Sequence, residues 1–259
     1  MRKISAIIYI AFAAMLLCAP ADAQKKPSQK EIAAALQGYF TPVQTPEARP
    51  DSRGFIRRWL LLDPISKPNR TNRVFTDSYT REAILHEYFP GQLTKIPKDG
   101  ERERVEMEVQ PPVNLTAGRP SAETPAPQFK KVNLYWHALD SDMYYVKLFR
   151  MAANLGNTRY GVLFWAVTVI DCEEDIPNVR LAIGANNAAM WWVNGEELLL
   201  VTGDRHMNID NALSKRITLK KGRNVIRAAV MNGPGMSEFC ARFVDEEGRP
   251  VTNFTVTLE

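Results

Sequence analysis

The sequence predicts an all-β protein, an antiparallel β-sandwich with a few short helices. Its 259 residues are 45% hydrophobic and 24% charged, proportions that fit a globular protein and exclude a disordered or fibrous one. From residue 160 onward, short apolar runs alternate with a period of two and are separated by tight-turn signals. Residues 160–170 are apolar on both faces, as expected of a central strand covered on both sides.

Residues 1–23 have the features of an export signal. Arg2 and Lys3 precede an apolar stretch at 7–17, and Ala21-Asp22-Ala23 is a small-x-small cleavage pattern. The apolar stretch is shorter than the ~20 residues that span a bilayer, so we expect export to the periplasm or beyond, with no membrane span after cleavage. Cys18 follows Leu17, where a lipid-attachment signal has a small residue, and this disfavours a lipoprotein.

Residues 24–50 are predicted to be a helical and proline-rich leader. Ser28 and Glu31 form a capping box at a helix start, and Gly38 can end that helix. Three prolines then impose extended chain before residue 51, where we place the start of a single sandwich domain that runs to 259. The alternative is a mobile tether.

The first half of this domain mixes strands, helices and loops. Residues 55–62 are a strand candidate, and Asp77 can cap a helix over 79–88 that Pro90-Gly91 ends. The charged and proline-rich residues 98–130 are predicted to be an exposed insertion, and residues 132–136 a short strand. Ser141 then can cap a helix that continues through Leu155 to Gly156.

The second half is predicted to consist of strands. After 160–170 they cover residues 179–184, 188–193, 215–219, 224–231, 238–244 and 253–258. The turn signals between them include Asn194-Gly195, and Asn-Gly suits a tight hairpin because both residues tolerate positive φ.

Three segments of this half carry a family resemblance. They are residues 186–195 (NNAAMWWVNG), 217–226 (ITLKKGRNVI) and 239–248 (FCARFVDEEG). In this order they resemble the galactose-binding-like jelly-roll modules found beside glycoside hydrolases and carbohydrate esterases in secreted bacterial proteins, including those of Bacteroidetes. Residues 59–64 are similar to the first strand of such modules, so the resemblance covers about 54–259. It implies a jelly roll, and a secreted accessory role in polysaccharide degradation with a carbohydrate or another secreted protein as partner.

One departure from the family pattern bears on metal binding. Asn186 and Asn187 stand where many of these modules have two aspartates, so a cation there would lose charged oxygen ligands. The cysteines and histidines show no metal-site spacing, and we expect neither a metal nor a cofactor. After signal cleavage Cys172 and Cys240 remain, either as a disulfide across the sandwich or as two buried thiols.

Charge and motif content restrict the function classes. The formal charge is +4, and the signal carries two positive groups and one negative group, so the mature chain has +3, too small and scattered to indicate a nucleic-acid partner. No Gly-x-Ser-x-Gly elbow is present, and Ser237 after Gly235-Met236 is the nearest approach to one. We therefore expect no catalytic residues and a non-catalytic carbohydrate-binding module. The alternatives are an acetylxylan-esterase-like enzyme and a structural docking protein.

Sugar recognition needs an exposed aromatic ring beside groups that bind hydroxyls. Trp191 and Trp192 are adjacent on a strand and point to opposite faces, Trp191 with the more apolar set. Trp192 is thus the better candidate for exposure, unless it packs under a loop. The candidate ligand-binding residues are Trp192, Asn194, Asp204, Arg205, His206, Asp210, Trp136 and His137.

Overall fold

The computed structural model describes residues 36–66, 76–109, 128–155, 162–203, 205–231 and 237–259. The signal at 1–23, the helical part of the leader, residues 110–127 and the candidate Asp204 lie outside these ranges. Domain boundaries and export therefore stay predictions. Within the described ranges, no helix combines the length and apolarity that a bilayer crossing needs.

The described strands form two antiparallel sheets, which confirms the predicted all-β sandwich. In the described residues the large sheet has ten strands. They are β1 (Phe40–Pro42), β2 (Arg58–Leu62), β3 (Ile65–Ser66), β4 (Arg102–Val109), β5 (Gln128–Ser141), β6 (Val162–Cys172), β8 (Ala188–Val193), β9 (Glu196–Val201), β12 (Gly222–Met231) and β14 (Thr255–Val256). The small sheet contains β7 (Ile176–Ala185), β10 (Ala212–Leu213), β11 (Ile217–Leu219) and β13 (Phe239–Val244).

The main path of the large sheet runs β1-β5-β2-β6-β12-β8-β9. Its centre is the long β6–β12 pair, in which Gly222 lies opposite Cys172 and Met231 opposite Leu163. Ten of the eleven residues of β6 are buried, including the uninterrupted run from Val162 to Ile170. The expectation that this segment is a central strand covered on both faces is confirmed.

The first core lies between the two sheets. Trp59 and Trp191 of the large sheet both contact the ring of Phe239 of the small sheet, with centroids 5.0 and 5.3 Å away and nearly perpendicular planes. Leu181 and Phe243 extend this core along the small sheet. Edge-to-face aromatic packing of this kind favours one relative placement of the layers.

The second core lies on the opposite face of the large sheet. Helix α1 (Asp77–Leu85) covers this face with Ala83 and Ile84, and Phe89 follows it. Thr76 is the N-cap, because its Oγ1 accepts the amide of Tyr79, so the cap lies one residue before the Asp77 that we predicted for this role. The module therefore has three layers, with the large sheet in the middle.

Two predictions for the first half were wrong. The described part of the exposed insertion at 98–130 contains β4, which pairs with β5 along its whole length and buries Val105 completely. The helix predicted from Ser141 is a 3-10 helix over Leu148–Leu155, and Ser141 itself ends β5. Composition gave only local signals, whereas pairing with β5 makes 102–109 a strand and the extension of β5 to Ser141 removes that residue from the helix.

Candidate functional site

Trp192 is buried, so the expectation of an exposed platform was wrong. Its side chain is 4% exposed and stacks on Trp165, with ring centroids 5.8 Å apart and planes inclined by 21°. Met190 and Met231 share the second core with it. Alternation correctly placed Trp192 on the opposite face of the sheet from Trp191. However, α1 covers that face, so Trp192 stabilises the fold.

Asn194 has a structural partner on each side of its turn. Its Oδ1 accepts the amide of Val225 at 2.8 Å, and its Nδ2 donates to Asn224 Oδ1 at 2.9 Å. Asn194 also has φ of 51°, as the predicted hairpin requires. Both ends of its amide are thus occupied by the link between β8 and β12.

Trp136 and His137 are also tied to neighbours within the fold. Trp136 is 1% exposed and its indole N–H donates to Glu103 Oε1 at 3.2 Å. His137 Nε2 lies 2.8 Å from Asp63 Oδ1, and Asp63 Oδ2 accepts the amide of Tyr135. The Asp63–His137 pair joins the end of β2 to β5.

The described residues of the 202–211 loop lie against the small sheet. Asp210 is ion-paired with Arg242, and the carbonyl of Arg205 accepts the amide of Asn187 at 3.1 Å. His206 is exposed. Arg205 and His206 thus keep side chains that a ligand can reach, and their role stays a prediction.

The candidate residues do not converge on one site. Arg205 lies beside Asn187 at the start of β8, and Asn194 follows its other end, seven residues or roughly 23 Å away at 3.3 Å per residue. Trp136 on β5 is four strands from β8, which is about 19 Å at the usual strand spacing. The candidate residues chosen from the sequence therefore lie in three separate places.

Cys172 and Cys240 are both free and buried, so the possible disulfide is not formed. Cys172 ends β6 just before β7 begins, whereas Cys240 lies opposite Gly184 near the far end of β7. The eight residue steps from Ile176 to Gly184 span roughly 26 Å of strand, well beyond disulfide reach. Burial raises the pKa of Cys172 to about 11 and that of Cys240 to about 12.

Ser237 does not have the surroundings of a nucleophile in the part of the chain that the structure describes. Its side chain is fully buried and its Oγ has no hydrogen-bond partner there. A serine nucleophile is activated by an adjacent general base within hydrogen-bond reach. The described residues provide no such base for Ser237.

An open cleft lies between α1 and the β4–β5 pair. Its volume is about 210 Å³, and we call it the helix cleft. Its walls are Ser66, Glu82, His86, Tyr88, Glu106, Met107, Glu108 and Phe129. None of these residues was among the sequence-derived candidates.

The side of the helix cleft formed by α1 is fixed by Gln92. Its Nε2 donates to the carbonyls of Ile84 and His86 at 3.2 and 2.7 Å, and its Oε1 accepts the amide of Tyr88 at 3.0 Å. These bonds satisfy groups that the end of a helix leaves open. Because Gln92 is 4% exposed, it holds His86 and Tyr88 in place from inside the fold.

The aromatic groups of the helix cleft differ in exposure. Phe129 is 60% exposed and lies opposite Glu108 in the β4–β5 register, so the two side chains share a face. Tyr88 contacts His86 edge to face with centroids 4.7 Å apart, and its hydroxyl donates to the carbonyl of Ala83. Burial raises the pKa of Tyr88, which keeps its hydroxyl protonated.

The helix cleft is acidic. Glu82, Glu106 and Glu108 line it, and no lysine or arginine is among the wall residues that the structure describes. Burial, followed by the charges of Glu108 and Glu82, raises the pKa of nearby Tyr79. An exposed ring beside carboxylate oxygens offers stacking and hydrogen-bond acceptors within one depression, which is what polyhydroxylated ligands use.

Sequence reasoning missed the helix cleft because its residues come from four separate segments. Phe129 and Glu108 fell within the stretch assigned to an exposed insertion, and Glu82 and His86 fell within the helix predicted over 79–88. The available sequence signal for the helix cleft was Phe129, an aromatic residue beside the charged residues Lys130 and Lys131. Within the described residues, no group of three His, Cys, Asp or Glu side chains is arranged to hold a metal ion.

No protein-family model matches the chain, and no curated protein matches it. Several solved structures resemble it at low identity. The PA14 sugar-binding domain of an RTX adhesin is 8% identical with a TM-score of 0.36, the alignment covering 77% of this chain and 96% of that one. An epithelial adhesin A domain from Candida glabrata in complex with β-lactose is 9% identical with a TM-score of 0.34, covering 85% and 96%.

The third example is the β-glucosidase from Kluyveromyces marxianus in complex with glucose. It is 16% identical with a TM-score of 0.34, covering 42% of this chain and 14% of the enzyme. This chain therefore matches only about one-seventh of that enzyme's length. At these identities and TM-scores, the likenesses carry no argument about function.

Proposed function

We propose that this protein is a non-catalytic carbohydrate-binding module and that its ligand occupies the helix cleft. The observation that carries the proposal is the exposed ring of Phe129, directly across the strand pair from Glu108 in a depression lined by two further carboxylates. A pyranose ring presents an apolar face and a rim of hydroxyl donors, which matches this combination. The resemblance of residues 54–259 to galactose-binding-like modules supports the same proposal.

The rigid frame of the helix cleft also supports a binding role. Ser66 donates its amide to Met107 Sδ at 3.4 Å, which ties β3 to β4. Arg81 forms a two-bond ion pair with Glu197 on β9, at 2.6 and 2.9 Å, and this anchors α1 on the sheet. A preorganised depression loses little side-chain freedom on binding, which favours affinity for a weakly interacting ligand.

The test is affinity electrophoresis through gels containing plant or host polysaccharides, one polysaccharide per gel. We expect at least one polysaccharide to retard the protein and Phe129→Ala to abolish most of the retardation. Leu213→Ala is the matched control, because Leu213 is 45% exposed on β10 of the small sheet. Loss of one stacking ring corresponds to about 1–3 kcal/mol, or five-fold to more than a hundred-fold in Kd.

Three outcomes would count against this function. Migration unaffected by every polysaccharide would remove it, and retardation that Phe129→Ala leaves unchanged would move the site away from the helix cleft. Release of acetate from acetylxylan by the wild-type protein would replace it with the esterase alternative.

We also propose that the chain is exported and acts beside polysaccharide-degrading enzymes. The pattern at residues 1–23 supports export. N-terminal sequencing of protein recovered from the periplasm or medium of a bacterial expression host is expected to start at Gln24. Recovery of the chain in the cytoplasm with residues 1–23 retained would contradict it.

A further inference from the structure

A buried guanidinium, that of Arg227, is not part of the helix cleft and has no counter-charge among the described residues. Arg227 is in the middle of β12 and is 3% exposed. Its register partners are Val167 on β6 and Trp192 on β8, both in the second core, so its side chain starts on the face that α1 covers. Arginine is almost never this deeply buried unless it is paired.

Its bonding within the described residues is sparse. Nη2 donates to the carbonyl of Lys95 at 2.7 Å, and this is its only hydrogen bond there. A guanidinium has five N–H donors, so four of them have no acceptor in the part of the chain that the structure describes. Nε and Nη1 have no hydrogen-bond partner among the described residues, but neither atom is fully enclosed. Both therefore keep a narrow contact with solvent.

Three acidic groups on neighbouring elements are already engaged elsewhere. Glu101 and Glu103 both bind Lys95 Nζ, at 2.6 and 2.7 Å, and Glu103 also accepts the indole N–H of Trp136. Glu197, opposite Trp192 in the next strand pair, is bound by Arg81. No described carboxylate forms an ion pair with Arg227.

A second buried arginine shows what the fold does when it neutralises such a charge. Arg58 is 2% exposed and donates from Nε and Nη2 to both oxygens of Asp140, at 2.8 and 2.9 Å. Its remaining donors reach the carbonyl and hydroxyl of Thr45. Arg227 has the burial of Arg58 and none of its acidic partners.

We propose that Arg227 is an anion-binding residue that receives a carboxylate or sulfate group from an acidic ligand. An oxyanion offers several acceptor oxygens, and Arg donors bind such groups with short, charge-assisted bonds. Desolvation lowers the pKa of Arg227 to about 10, with no neighbouring acid to oppose the shift, so the guanidinium stays charged at neutral pH. An entering anion would take the place of the water that the guanidinium has lost on burial, and it would compensate the charge of the guanidinium.

This inference is independent of the helix cleft. Arg227 is not a wall residue of the cleft, and a neutral sugar there makes no use of it. The chemistry required is an oxyanion, which a uronic acid supplies as a carboxylate and a sulfated sugar supplies as a sulfate. Galacturonate and galactose 6-sulfate distinguish the two sources, and galactose is the neutral control.

The experiment follows the Arg227 Nε–Hε resonance of the wild-type protein by ¹H–¹⁵N NMR during titration with each probe at constant ionic strength. We expect a saturable shift with galacturonate, galactose 6-sulfate or both, and no shift with galactose. Because this measurement uses the unmodified chain, it does not depend on whether a variant folds. Absence of a saturable shift with both anions would overturn the proposal.

Two variants test whether the anion binds at Arg227. Arg227→Met is expected to weaken binding of the responding anion at least about tenfold by calorimetry, since charge-assisted bonds are lost. Arg223→Met is the matched control, because Arg223 is exposed and four residues earlier on the same strand. Equal affinity in the wild type and Arg227→Met, or an equal loss in both variants, would also overturn the proposal.

Discussion

The indole rings of Trp165 and Trp192 stack across the second core of this sandwich, with centroids 5.8 Å apart and planes within 21° of parallel. They come from β6 and β8, which are separated in the sheet by β12. Both rings are almost fully buried. The pair fixes the face of the large sheet on which α1 packs.

Trp192→Ala is expected to destabilise the fold by about 3–5 kcal/mol, because it removes a large buried ring and leaves a cavity beside Trp165. Urea denaturation monitored by circular dichroism measures this change. Trp192→Phe is the control and is expected to lose less, since it keeps a ring in the same position. A loss below about 1 kcal/mol for Trp192→Ala would mean that the ring is not part of the core.

The two buried arginines are expected to respond in opposite ways to the same substitution. Arg58→Met breaks a bidentate ion pair and leaves Asp140 alone, which costs about 3 kcal/mol, since that carboxylate is partly exposed. Arg227→Met removes an uncompensated charge and is expected to leave the free energy of unfolding unchanged or to raise it in low-salt buffer. Denaturant midpoints of both variants provide the comparison, and a similar loss in both would show that Arg227 has a counter-charge.

Gly184→Ala is expected to displace the 205–210 segment from the small sheet. A Cβ at this position would lie 2.1 Å from the carbonyl oxygen of Asn208, and 3.1 Å from Cys240 Sγ. Limited proteolysis should then cut near residue 208 faster than in the wild type. Gly195→Ala is the control, because its Cβ would meet open space and its strain comes only from a positive φ. Equal cleavage in both variants would contradict the close approach.

The thiols of Cys172 and Cys240 are expected to be unreactive in the native protein. Burial raises the pKa of both Cys172 and Cys240, and the thiolate is the form that reacts. Mass spectrometry after iodoacetamide treatment should find both alkylated only when denaturant is present, and a reducing agent should leave the melting temperature unchanged. A peptide joined through Cys172 and Cys240 would contradict this.

Glu238 is expected to make stability fall as the pH rises. Its side chain is 9% exposed, its Oε2 has no partner within the described residues, and burial raises its pKa despite the opposing charge of Lys147. A folded-state pKa above the usual 4.5 means that the native state binds the proton more tightly, so stability is lost between 4.5 and the raised value. Glu238→Gln should therefore stabilise the protein at pH 7 and have little effect at pH 3.

Chemical denaturation of Glu238→Gln at the two pH values measures this effect. Glu246→Gln is the matched control, because Glu246 is an exposed carboxylate in the 245–248 turn and is expected to change stability little at either pH. A gain for Glu238→Gln that is equal at both pH values would show that the carboxylate does not titrate abnormally.

Local pattern was sufficient for the sandwich and for the positions of its central strands. Eight of the nine residues at 162–170 are apolar and they occupy both faces, as expected of a strand covered on both sides, and Asn194-Gly195 ends β8 where the hairpin requires positive φ. Alternation also assigned Trp191 to the core between the sheets. These features depend on a period of two and on single-residue φ preferences, which the sequence carries directly.

What covers each face, and which side chains meet, was decided by the tertiary structure. Alternation separated Trp192 from Trp191, but it could not show that Ala83 and Ile84 of α1 would close over Trp192. Phe129 became the exposed ring of a cleft only because β5 pairs with β4 and α1 packs beside them. Likewise, nothing local distinguishes Arg58 from Arg227, because a buried charge is defined by its partners, and those come from distant parts of the chain.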